Sequence, residues 1–400
     1  MDTIAVHQFQ AVYSMTMEVI RKDVIVVGLG AFGSAALWRL AARGLDVAGV
    51  ERYGIGHPQG STHGTTRLFR VACMEHTGLA AVALKSLELW TALGEQAGEQ
   101  LVLQTGGLNV GAPGSRPVTG TLAAAKAAGL PVTELGHGEL AARFPQFAGL
   151  TPDDVGVWDP GAGICFPERA VRAQADAARQ LGAGVYPHTM VTGIEPSADE
   201  VTVRTATVEF RAPQVIVAAG AWLQKLVPEL SLAPRRTPMY WFRSRDPQSR
   251  EFTLDRFPTF VWRRPGGQGL WGHGSHDGFG IKIGPSELPL PARDRGIDPD
   301  TLDRYIHLDT DIKPLAASIA EAFPGLDPFP DKAIPCMITD SPDGQFVVGR
   351  LPGQPGIVVA GGDSGHGFKH CAGIGELLAQ TVTGEPPYCE ADFLDPARFP

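Results

Sequence analysis

The chain has 400 residues, a formal net charge of −9, and 44% hydrophobic and 19% charged residues. That length exceeds what one compact core takes, and predicts two intertwined domains of ordinary globular make-up. The acidic balance, with no basic stripe, excludes nucleic acid as a partner, and no apolar run reaches the roughly 18 residues of a membrane span.

Residues 1–22 carry Asp2 and Glu18 and no basic stretch before an apolar core, so they read as a loose extension and not as a secretory signal. DVIVVG at 23–28 is a buried-strand run. Gly28, Gly30 and Gly33 then give GLGAFG, 31–44 reads as a helix ending in glycine, and 47–50 as a second strand closed by Glu51. A strand–turn–helix–strand unit with an acidic residue placed for a ribose hydroxyl is the dinucleotide fingerprint. Its candidate binding residues are Gly28, Gly30, Ala31, Phe32, Gly33, Glu51 and Arg52. The fingerprint alone does not separate NAD from FAD. A nicotinamide enzyme would place a third strand soon after. Here 54–70 is the polar loop GIGHPQGSTHGTTRLFR, with Ser61, Thr62, His63, Thr65, Thr66, Arg67 and Arg70.

Residues 83–155 change character, with an amphipathic helix (LKSLELWTAL), a strand between turns (TGGLNVG) and an Ala-rich helical stretch at 120–146. From 160 the pattern is loop, helix, then strand into Met190 and Val191. QVIVAAGAW at 214–222 is another buried strand, with Gly220 and Trp222 at the end that faces a dinucleotide. Between 225 and 330, PMYWF, FVWRR, LWGHG and GIKIG alternate with turns, which suits an antiparallel sheet covering a ligand. In GIKIG, Lys282 must face opposite to Ile281 and Ile283. ARDRGIDPDTLDRY at 292–305 reads as a polar loop leading into helix. Near the C-terminus, IPCMITDSPDG carries Cys336, Met337 and Thr339. IVVA is followed by glycines 361, 362, 365 and 367, and then by a buried helix over 371–383. Such a loop, with Gly365, His366, Gly367, Phe368 and the charge of Lys369, suits an anionic or electron-rich ring. Five cysteines, odd in number and widely spaced without CxxC, point to a reducing, cytoplasmic compartment, and no metal site is expected.

Four of these segments, GSTHGTTRLFR, GIKIG, IPCMITDSPDG and GGDSGHGFK, resemble the sarcosine oxidase and N-methyltryptophan oxidase family of FAD-dependent amine oxidases, in that family's order from about position 23 to about 385. The resemblance implies a D-amino-acid-oxidase-like fold, α/β and α+β. A Rossmann-type FAD-binding domain (23–82, 156–224, 331–400) would interleave with an antiparallel-sheet substrate domain (83–155, 225–330). It implies FAD bound covalently through Cys336, with Ser61, Thr62, His63, Thr66 and Arg67 beside the flavin. Read from the residues alone, Cys336 is equally a buried structural cysteine, and Cys371 is its nearest rival. The resemblance further implies Lys282 as the oxygen-activating lysine, Arg70 and Lys369 as the clamp on a substrate carboxylate, and a hydroxyl from Thr339 nearby. The activity implied is oxidation of the C–N bond of a carboxylated secondary or cyclic amine to an imine, with O2 reduced to hydrogen peroxide. A dehydrogenase of the same fold using another acceptor, or a biosynthetic imine-forming or aromatising oxidase, is the alternative. A monomer or weak dimer is expected, with no membrane partner. The chain departs from the family on the substrate side. Ser286 stands four residues after Lys282 where sarcosine oxidase has a histidine, His273 and His276 lie on the preceding strand and loop, and Thr62 and Thr65 stand where His and Asp are commoner. A substrate other than sarcosine is expected. Trp241, Trp262, Trp271 and Phe242 read equally as pocket lining or as sheet core.

Overall fold

The computed structural model describes residues 17–264, 269–286 and 296–399. Residues 1–16 of the expected extension, and the expected polar loop up to 295, lie outside them.

A six-stranded sheet is assembled from the whole length of the chain, in the order Gly184–Tyr186, Val47–Val50, Val24–Val27, Gln214–Val217, Gln354–Gly361 and Val347–Leu351. Its pairs are parallel except for the last. Val24–Val27 is buried throughout, as a central parallel strand covered on both faces must be. Side-chain alternation divides the two faces. Val24, Val26, Ile216 and Val358 join a core beneath helices, whereas Ile25, Val27, Val215, Val217, Ile357 and Val359 join a core on the opposite face. Helix Ala31–Ala41 lies against helices Pro167–Gln180 and Cys371–Thr383. Gly375 lets the last of these approach closely, since a Cβ there would sit 2.6 Å from Ala35.

The expected extension contains structure. Glu18–Arg21 is a strand paired in parallel with Val208–Ala212. Its short, half-polar sequence gives no alternation to read, and only the partner strand reveals it. The Ala-rich stretch is two helices, Arg116–Ala128 and His137–Arg143, separated by the strand Thr133–Leu135. Gly129 at φ 64° ends the first.

The second large sheet has eight strands, in the order Lys332–Ile334, Met239–Phe242, Ile281–Ser286, Gly269–His273, Thr259–Arg263, Gly107–Gly111, Val155–Asp159 and Thr133–Leu135. One face packs an aromatic core that includes Phe147, Phe242, Phe257, Phe260, Trp262 and Phe323. Phe242 and Trp262 are therefore sheet core. Along each strand the intervening residues face the other way. Val261 and Trp271 open onto a cavity, and Lys282 is turned away from the core residues Ile281 and Ile283. Sheet membership shifts two segment edges. Val155–Asp159 belongs to the eight-stranded sheet, although 156 was expected to begin a dinucleotide segment. Lys332–Ile334 pairs with Met239–Trp241, although 331 onward was expected on the dinucleotide side. Both strands lie where the chain crosses between sheets, and alternation reads the same on either side of a crossing. Among the described residues, no helix is long and apolar enough to cross a membrane, and no His/Cys/Asp/Glu cluster is able to hold a metal ion.

Candidate active site

A cavity of about 930 Å³ runs between the two large sheets, from the fingerprint glycines to the loop 361–369. The three fingerprint glycines do different work. Gly28 turns at φ 86°, and a Cβ there would meet the Ala218 carbonyl at 2.7 Å. Gly33 packs so tightly that a Cβ would lie 1.8 Å from the Gly28 oxygen. Gly30 faces the cavity, where a Cβ would find only Thr62 Oγ1 at 3.6 Å. That is the division a dinucleotide loop requires: a tight turn, close helix–strand packing, and bare backbone for a phosphate.

Glu51 is buried and accepts from the backbone N–H groups of Leu29 and Tyr53, each at 2.8 Å. It thereby fixes the turn. Arg52 pairs with Asp300 at 2.5 Å, and Asp300 also accepts from Trp222 Nε1 at 2.8 Å. Met190, half exposed, and Val191 line the same stretch of wall with Gly220. Ser61 Oγ is buried on the wall without a hydrogen-bond partner. The open face of Gly30 and this orphaned hydroxyl both fit an elongated phosphate-bearing ligand.

Further along, Arg67 donates to the carbonyls of Thr66 at 2.8 Å and Ser61 at 2.9 Å. Its guanidinium lies 3.9 Å from Cys336 Sγ. Burial pushes the Cys336 thiol up, and Arg67 opposes it. Cys371 is buried inside its helix and is not on the cavity wall. Lys282 is fully buried and donates to the carbonyls of Gly64 at 2.9 Å and Thr66 at 2.8 Å, with the Trp241 ring 4.9 Å from its amine. Burial, then Arg67, hold its pKa well below that of a free lysine. Thr66 Oγ1 meets His273 Nε2 at 2.8 Å, and burial brings His273 down to about 4.

At the far end sits a buried ion pair, Arg70 with Glu75 at 2.5 Å. Burial works against the Arg70 charge, but Glu75, with Cys73 and Asp159, outweighs it and the pKa is raised. Burial likewise opposes the Glu75 charge, but Arg70 and then Lys369 hold its carboxyl well below the usual range. Arg70 Nε and Nη1 and Glu75 Oε2 are buried without hydrogen-bond partners. Lys369 donates to the His366 carbonyl at 2.9 Å, and burial lowers its pKa. Ser286 and Trp271 lie on the wall of the same cavity.

Five expected site residues do not reach the wall: Gly33, His63, Thr66, Lys282 and Thr339. Thr339 is buried between the wall residues Ile338 and Asp340, and its hydroxyl has no hydrogen-bond partner. His63 is buried, and burial, then Arg67, bring it to about 3. In the loop Gly365–Lys369, two backbone N–H groups are already taken. Asp363 Oδ1 takes the Gly365 N–H at 3.0 Å, and its main-chain oxygen takes that of His366 at 2.9 Å. Sequence reading missed Asp363, Glu75 and Glu168. The visible signal for Glu75 was a lone acid in the apolar run VACMEHTG, five positions after Arg70. Glu168, in the first turn of its helix, passes for an ordinary helix-start acid.

Residues 23–381 match the family DAO, FAD dependent oxidoreductase. The chain belongs to that family. It is 34% identical over 385 residues to monomeric sarcosine oxidase of Streptomyces avermitilis, covering 94% of this chain and 97% of that one. It is 30% identical over 376 residues to N-methyl-L-tryptophan oxidase of Citrobacter koseri, covering 91% and 95%. The fold is similar to that of the open form of NikD, described as an unusual amino acid oxidase essential for nikkomycin biosynthesis. The TM-score is 0.80 at 23% identity, covering 94% of this chain and 98% of that one. The chain is thus an FAD-dependent oxidoreductase, and the open face of Gly30 and the unpartnered Ser61 hydroxyl fit a phosphate-bearing cofactor along the wall.

Proposed function

We propose that this oxidoreductase oxidises the C–N bond of a carboxylated secondary or cyclic amine to an imine, passes the electrons to O2, and carries its FAD covalently on Cys336. The observation that carries the reading is the buried pair of cations, Arg70 and Lys369, at one end of the cavity, with two Arg70 nitrogens unpartnered. A guanidinium offers a carboxylate two parallel hydrogen bonds and so fixes orientation as well as charge. FAD, held along the cavity wall by Gly28, Gly30 and Ser61, would supply the two-electron redox chemistry that links the amine C–N bond to O2.

The protein's own groups orient and screen. Arg70 and Lys369 hold the acid end, and Trp271, Val261 and Met239 form the apolar wall around the rest of the substrate. Lys282, buried behind the loop 64–66 with its pKa lowered, stabilises oxygen as it gains negative charge by taking up a proton and acting across that loop. Arg67 lies against Cys336 and favours its thiolate, the form that makes a covalent bond. Ser286 and His273 in place of the family's pattern support an amino acid bulkier than sarcosine. A cytoplasmic monomer or weak dimer is the accompanying expectation.

The test has two parts. Acid-precipitated protein should stay yellow, and the colour should pass to the supernatant in Cys336→Ala. A panel of N-methyl, cyclic and D-amino acids, each with its decarboxylated analogue, should release peroxide from acids and little from plain amines. A colourless precipitate defeats the covalent link, and equal turnover of acids and amines defeats the carboxylate clamp.

A further inference from the structure

Lys282 is gripped by one short piece of chain, and something must hold that piece. Its amine donates to the carbonyls of Gly64 and Thr66. Both carbonyls face it because Gly64 turns at φ 97° and Thr65 at φ 66°, a conformation that side-chain-bearing residues rarely adopt. Thr66 N–H also donates to the Gly64 carbonyl at 2.8 Å. The opposite edge of this turn is held by Glu168. Its Oε1 accepts the N–H groups of Gly64 at 2.7 Å and Thr65 at 3.1 Å, and Oε2 lies 3.2 Å from the latter. The peptide between Gly64 and Thr65 therefore carries the lysine on its oxygen and the carboxylate on its nitrogen. Glu168 stands in the first turn of helix Pro167–Gln180, where the helix dipole favours its charge.

We propose that Glu168 is a positioning residue for Lys282: through the Gly64–Thr65 peptide its carboxylate holds the carbonyls that grip the amine, and its charge sets how readily that amine takes a proton. The proposal deepens the functional reading above and rests on it for the work Lys282 does. The other charged and titratable groups around the lysine are Arg67, Cys336 and Cys165, with His273 as its strand neighbour and His63 nearby. Lys332 lies over the same Trp241 ring. Arg67 disfavours the lysine's charge, and Glu168 is the carboxylate that favours it. A peptide polarised from both ends couples its two partners more strongly than their separation alone implies.

The test compares wild type with Glu168→Gln, which keeps an acceptor oxygen for the turn but removes the charge. The holoprotein's visible flavin spectrum is titrated with pH without substrate, and re-oxidation by O2 is timed across the same range. The pH midpoint should move down by about half a unit to one unit in both measurements. In a Lys282→Met background the substitution should move neither. A lowered melting temperature with an unmoved midpoint overturns the proposal, as does the same shift in the Lys282→Met background. Should Glu168→Gln not fold, Glu168→Asp draws the charge back. A downward midpoint there supports the proposal, and an unmoved one overturns it. If Lys282→Met leaves wild-type re-oxidation unchanged, the functional reading fails on that variant alone, and the spectral midpoint still decides about Glu168.

Discussion

In the proposed carboxylate clamp, Arg70 is already paired. Glu75 neutralises it in the buried pocket, so an incoming carboxylate must compete for the guanidinium or share it. Arg70→Ala should weaken binding of an acid substrate by roughly 2–4 kcal/mol, part of it the cost of leaving Glu75 and the substrate charge unpaired. The same change should scarcely alter kcat/KM for the decarboxylated amine. Steady-state kinetics on matched acid and amine pairs check this, and an equal loss on both members removes Arg70 from the clamp. Lys282 predicts a different signature. Lys282→Met should slow re-oxidation by O2 about 10²–10³-fold and slow anaerobic reduction by substrate far less. Stopped-flow timing of the two half-reactions separates them, and equal slowing assigns the lysine to structure or substrate.

Among elements, the fingerprint turn separates binding from folding. Gly33→Ala places a methyl group against the Gly28 carbonyl, so it should lower the melting temperature, by an overpacking cost of about 1–3 kcal/mol. Gly30→Ala has room in the apoprotein, so it should leave the apoprotein's melting temperature near wild type and weaken flavin binding. If both variants fold alike and bind alike, the assignment of these two positions is wrong. Much of this element was legible in the sequence, because glycine spacing, strand parity and an acid after the second strand are all local patterns. The parity of GIKIG told correctly which way Lys282 turns. Parity does not decide Thr339, because Met337 and Ile338 lie on opposite faces of their strand and both reach the wall. Contacts between distant segments left no such trace. Glu168 meets Gly64 and Thr65 across roughly a hundred positions of chain, and nothing in FPERA points to that turn. Asp363 removes two donors from the loop it helps to shape, a role visible only once the loop is folded.

At the scale of the whole molecule, the site concentrates buried histidines whose pKa values are pulled down. His63 falls to about 3, and His273 and His366 to about 4, each from 6.5 and each mainly through burial. A lowered histidine pKa stabilises the fold above the unfolded value, and that stability is lost as pH falls through the folded value. Asp363, raised by burial to about 6 from 3.8, acts in the opposite sense, favouring the fold below that window. His370 is lowered by burial in the same way and Asp159 is raised, so four histidines face two aspartates, and stability should fall as pH drops from roughly 6 to 4. Urea unfolding at pH 7.5 and pH 5 checks the sign. A midpoint that is flat or higher at pH 5 contradicts it.

The six-stranded sheet also sets a timetable for the newborn chain. Val24–Val27 leaves the ribosome early, yet its neighbour Gln214–Val217 follows nearly two hundred residues later, and the next strand, Gln354–Gly361, comes close to the end. At about 5–20 residues per second, the first strand waits on the order of 15–70 s before the sheet can close around it. Val47–Val50 can cover one edge of VIVV soon after, but until Gln214–Val217 emerges its other edge is an apolar ribbon without a partner, the kind of segment that holdase chaperones shield and that misassembles when left bare. A chain stalled or cut before residue 354 lacks the strand that completes the sheet, so loss of a short C-terminal piece should abolish the dinucleotide site at the opposite end of the sequence.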